Sequence, residues 1–89
     1  MRAIVTVIGK DRVGIIAEVC ALLAAQGVNI LDISQTVLRE YFSMIMLVDV
    51  SACRVSFVEL GKLLSDAGAE SGLSIRAQRE DIFNAMYRI

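Results

Sequence analysis

The 89-residue sequence predicts an α+β sandwich in which four antiparallel strands carry two helices on one face, in the order βαββαβ. Three observations lead there. Apolar and β-branched residues fill four short runs, apolar residues recur at helical spacing in two longer ones, and glycine rather than proline punctuates them. The chain is long enough for one core, and 56% hydrophobic against 21% charged residues is far more apolar than a disordered segment.

Taken in order, residues 2–8 are rich in Val and Ile and are closed by Gly9, Lys10 and Asp11, which predicts a strand and a tight loop. Over residues 13–26, Ile15, Ile16, Val19, Cys20, Leu22 and Leu23 follow a helical period, with Glu18 and Gln26 on the wetter side. Gly27 stops this helix. Residues 28–38 form a β-branched run with Asn29, Asp32, Ser34 and Gln35 embedded, the pattern of an edge strand with one wet face. Residues 41–50 come after only Arg39 and Glu40, so the two runs make a hairpin, although neither tip residue favours positive φ. Within the second run Met44, Ile45, Met46, Leu47 and Val48 are apolar at consecutive positions, which predicts cover on both faces.

Residues 56–71 return to helical spacing through Phe57, Leu60, Leu64 and Ala67, with Gly61 and Gly68 beside the stripe to allow close approach to the sheet. Gly72 ends the helix, and residues 73–79 alternate as a fourth strand. Asp81 is placed to cap a short last helix with the stripe Ile82, Phe83, Met86 and Ile89. Residues 1–89 thus make a single domain, with 80–89 as a C-terminal extension. The order is that of the ferredoxin-like sandwich, which leaves one sheet face bare. A homodimer or higher homo-oligomer is therefore expected to cover it.

Composition narrows function. Nine basic and ten acidic residues give a net charge of −1, the sequence pI is about 5.2, and the central strands lack stacking aromatics, so nucleic-acid binding is not expected. With no His, histidine-dependent triads and metal sites are excluded, and no metal or cofactor is expected. Cys20 and Cys53 match no metal or disulfide spacing and read as reduced thiols, which suits a cytoplasmic protein. No apolar run approaches the roughly 18 residues of a membrane span.

The chemistry concentrates in the segment Gly9, Lys10, Asp11, Arg12, Val13, Gly14, which joins a strand end to a helix start. Unpaired backbone N–H groups collect there, and a small carboxylate or phosphate can dock on them beside the bare Gly14. Against this stands a plain capping role for Asp11. Asn29, Asp32 and Gln35 offer polar groups from the second strand, or simply face solvent on an edge.

The run Asp11, Arg12, Val13, Gly14, Ile15, Ile16, and after it Gly27, Val28, Asn29, Ile30, resembles the ACT domain over about residues 1–80. Asn29 to Thr36, Tyr41 to Val48 and Gln78 to Asn84 resemble, more specifically, the stand-alone ACT proteins of the UPF0237 family. The resemblance implies a dimeric regulatory module that binds a small amino acid or related carboxylate where subunits meet. By the same likeness Asp11, Arg12, Val13 and Gly14 form the pocket's loop wall. Asn29 and Ile30 face it from the same or a neighbouring subunit, and Asn29, Asp32 or backbone carbonyls receive the ammonium group. Many ACT domains carry proline where this chain has Val13. Two other readings stand beside it: a ligand-free oligomerisation or docking module that recruits an unknown protein, and an acylphosphatase-like enzyme, to which Arg12 and Asn29 bear a limited likeness.

Overall fold

The computed structural model describes residues 1–81. Strand β1 (Arg2–Lys10) leads to helix α1 (Ile15–Ala25), the hairpin of β2 (Asn29–Leu38) and β3 (Tyr41–Asp49), helix α2 (Phe57–Ser71) and strand β4 (Leu73–Arg79). The sheet order is β2-β3-β1-β4, with every neighbouring pair antiparallel. This is the predicted ferredoxin-like topology. Alternation sends Ala3, Val5 and Val7 of β1 and Met44, Met46 and Val48 of β3 to the helix side, where they pack with Ile15, Val19 and Leu23 of α1 and Leu60 and Leu64 of α2. Each such side chain, once withdrawn from water, contributes about 1.5–3 kcal/mol.

Several boundaries differ from expectation for identifiable reasons. β1 continues through Gly9 and Lys10 because these still pair with Phe42 and Tyr41. α1 begins at Ile15 rather than Val13, since Gly14 sits at φ 91° and a left-handed residue cannot continue a right-handed helix. Arg39 takes the positive φ that the two-residue hairpin demands, at 55°. Of the two glycines expected to admit the sheet, only Gly68 does: a Cβ there would lie 2.7 Å from the Leu73 carbonyl oxygen, whereas one on Gly61 would meet nothing within 4 Å.

Within the single chain the two faces of β3 differ. Its helix-side residues are buried, but Ile45 on the other side is 43% exposed, because α1 and α2 lie on the opposite face of the sheet. The expected last helix and its stripe lie outside the described residues. Among the described residues no helix is long and apolar enough to cross a membrane.

Candidate functional site

Where β1 gives way to α1, a cleft of about 530 Å³ opens between the start of the helix and the β2–β3 hairpin. Its floor and walls come from Asp11, Arg12 and Gly14 of the loop, the first turn of α1, Gln35 and Val37 of β2, and Phe42 of β3. The loop is tied to the hairpin, since the Asp11 backbone N–H donates to the Glu40 carbonyl oxygen at 2.7 Å.

The helix start is open. Gly14 holds the N-cap position with no side-chain cap, so Asp11 does not serve as one. The first helical bond runs from the Glu18 N–H to the Gly14 carbonyl at 2.9 Å. The amides of Ile15, Ile16 and Ala17 precede it and have no carbonyl of the helix to bond. All three residues line the cleft. Donors together with the positive end of the helix dipole suit a small anion.

Arg12 is already engaged. Its Nη2 donates to Glu18 Oε2 at 2.7 Å, while the other Glu18 oxygen accepts from the Ser71 hydroxyl at the end of α2. The Ser71 hydrogen bond, and after it the Arg12 hydrogen bond, hold the Glu18 carboxyl below its ordinary pKa. What the cleft offers an anion is therefore the amides more than the guanidinium, whose charge is matched by Glu18.

The structure divides the residues singled out from sequence. Asp11, Arg12 and Gly14 share the cleft. Val13 crowns the loop at 98% exposure and does not line it. Asn29 and Ile30 sit at the far end of the sheet, where Asn29 pairs with Asp49 and Asp49 with Arg2. Asp32, one residue past a bulge between Ile30 and Asp32, accepts from the Ile33 N–H at 2.9 Å and borders a separate depression. Within one chain these three residues do not meet the loop. The crossover through α1 returns the chain to the end of the sheet where β1 began, so β2 starts far from the loop. Ile16, Val37 and Phe42 were not anticipated as lining. Counting pairs down from the hairpin tip would have found the last two, since Val37 pairs with Phe42, which pairs in turn with Gly9.

The remaining reactive groups do not form a second centre. Cys20 and Cys53 are free and half-buried against the core. Among the described residues no cluster of three or more acidic or thiol groups is arranged to hold a metal.

Residues 2–78 of this ferredoxin-like sandwich, loop-to-helix cleft included, match the family model described as ACT domain: the chain belongs to that family. Within it the chain is a UPF0237 family protein. It is 55% identical to a UPF0237 protein of Clostridium acetobutylicum over the whole of both chains. A UPF0237 protein of Methanocaldococcus jannaschii is 51% identical, with 99% of this chain and 98% of the relative covered. Among solved structures, an ACT domain protein from Streptococcus pneumoniae is 45% identical and superposes with a TM-score of 0.83 over 98% of each chain. The regulatory subunit of aspartate kinase from Thermus thermophilus is 26% identical, with a TM-score of 0.69 over 89% of this chain and 51% of that one.

Proposed function

We propose that the chain is a stand-alone regulatory module that binds a small amino acid or related carboxylate at a homodimer interface. One observation carries this reading: the uncapped first turn of α1 lines a cleft that borders β2, an edge strand with no neighbour on its outer side among the described residues. Leu31, Ile33, Val37 and Leu38 of that strand are all more than a third exposed. An unpaired edge with apolar side chains is a template for a second strand.

Two copies related by a two-fold axis would pair their β2 strands antiparallel. The Asn29 end of one then lies against the Leu38 end of the other, so Asn29 and Ile30 of the partner subunit approach the loop of Asp11 and Gly14. The ligand carboxylate sits on the amides of Ile15, Ile16 and Ala17. Asp11, Gln35 and Asn29 of the partner subunit receive the ammonium group, and Val37 and Phe42 meet its apolar part. The aspartate kinase regulatory subunit among the structural relatives supports a regulatory reading. Binding is favoured over acyl-phosphate chemistry because Arg12 is paired with Glu18 instead of aimed at an empty phosphate cradle. The half-buried reduced thiols suit a cytoplasmic setting.

A ligand held by both subunits stabilises the assembled form by about 2.7 kcal/mol at a hundredfold excess over its Kd. For a chain of this size that corresponds to a rise in Tm on the order of 10 °C. In a thermal-shift panel of the twenty amino acids one or a few are expected to give such a rise. A flat panel on unliganded protein overturns the amino-acid assignment, and a stable monomer at micromolar concentration by sedimentation overturns the interface.

A further inference from the structure

The cleft at the start of α1 has an apolar wall whose chemistry differs from that of its loop. Val37 of β2 and Phe42 of β3 are cross-strand partners, so their side chains lie on the same face of the sheet, the helix side into which Phe42 is buried. Ile15 and Ile16, from the first turn of α1, complete this lining. Ile15 and Phe42 are 2% and 4% exposed and belong to the core, so packing holds the wall in place. Ile16 and Val37 are 37% and 51% exposed and leave apolar surface for a ligand to cover.

Charge in the cleft is confined to the loop. Of the described residues that line it, only Asp11 and Arg12 carry charge. Arg12 is matched by Glu18 at 2.7 Å, so it offers no free cation to an acidic side chain. Asp11 is the one carboxylate in the lining, and an amino-acid ligand brings its own ammonium group to match it. A second charge on the ligand, of either sign, would then lie against Ile16, Val37 and Phe42 without a partner. Taking a charge out of water in that way is strongly disfavoured.

On the reading that this cleft takes an amino acid, on which the inference rests, we infer that the ligand is one with an uncharged, branched-aliphatic or thioether side chain, such as valine, leucine, isoleucine or methionine, selected by the wall of Ile16, Val37 and Phe42. The space suffices. At about 530 Å³ the cleft falls within the range of roughly 300–1,000 Å³ usual for small-molecule sites. Each methylene moved from water onto an apolar wall tightens binding by about fourfold. Leucine should therefore bind about tenfold or more tightly than alanine, even where an open cleft covers its side chain only in part.

Calorimetric titration of the intact, unliganded protein tests this, with leucine, isoleucine, methionine and valine set against alanine, serine, glutamine, aspartate and lysine. The best of the first four is expected to bind about tenfold or more tightly than any of the second group. If serine, glutamine, aspartate or lysine binds as tightly as leucine, the inference falls while the amino-acid reading stands. If none of the twenty amino acids binds, that reading falls and takes the inference with it. The variant Val37→Thr keeps a β-branched shape at a half-exposed strand position, so it preserves the strand while placing a hydroxyl on the wall. It is expected to lower the ratio of leucine to alanine affinity by about threefold or more. An unchanged ratio overturns the selection by this wall.

Discussion

The two helices begin in opposite ways. At α2, Ser56 is an extended N-cap whose hydroxyl accepts from the Glu59 N–H at 3.2 Å, and Glu59 itself places a negative charge in the first turn. At α1, the N-cap is a left-handed glycine with no side-chain acceptor, and the residues of its first turn line the cleft. Capping a helix start is chemically easy for this sequence, as α2 demonstrates. The bare start of α1 is therefore a position where donors are left available, and the difference separates a helix end capped by its own side chain from one that is not.

Substitutions at the two starts sharpen that contrast. The largest effect is expected for Gly14→Ala. A methyl group meets nothing within 4 Å, so the cost comes from φ 91° alone, about 1–2 kcal/mol. Thermal or denaturant unfolding measures it, and equal stability would show that α1 can start with a different backbone. Ser56→Ala comes next, at about 1 kcal/mol through the lost cap. Asp11→Ala, by contrast, should stay within about 0.5 kcal/mol, as an exposed residue without a capping bond does. If Asp11→Ala costs as much as Ser56→Ala in the same unfolding series, the two starts are not different in kind.

The smallest effect is on pH dependence. Glu18 is held below the ordinary carboxyl value of 4.5 by Ser71 and Arg12. A lowered folded-state pKa contributes stability that is fully present above the unfolded value and is lost as pH falls from about there through the folded value. Stability should therefore decline below about pH 4.5, and Glu18→Gln should flatten that decline in Tm measured between about pH 6 and 3. An identical slope in the variant would remove Glu18 as a contributor.

The fold was legible because hydrophobic period and glycine placement agree around α1, α2 and β4. Leu73, Ile75 and Ala77 alternate, Leu60 and Leu64 recur one turn apart, and Gly72 stands between the two patterns. Half of the candidate site was legible as well, since a strand-to-helix loop announces itself through Asp11, Arg12 and Gly14. The other half was not. Polar interruptions at Asn29 and Asp32 report that β2 is an edge, but facing toward the cleft depends on which end of the sheet a residue occupies, and the crossover decides that. The consecutive apolar residues of β3 were a true signal of two apolar faces. Sequence periodicity cannot say what covers the second one, because the covering group need not be near in the chain.

The extra residue at Leu31 has a consequence for solubility in bulk. An apolar edge of β2's length, with no proline in it, is the kind of surface on which sheets grow without limit into fibrils. The bulge between Ile30 and Asp32 bends the margin and interrupts its hydrogen-bonding rhythm partway along. Only the stretch beyond it offers an even row of groups, which shortens the template available for lateral growth.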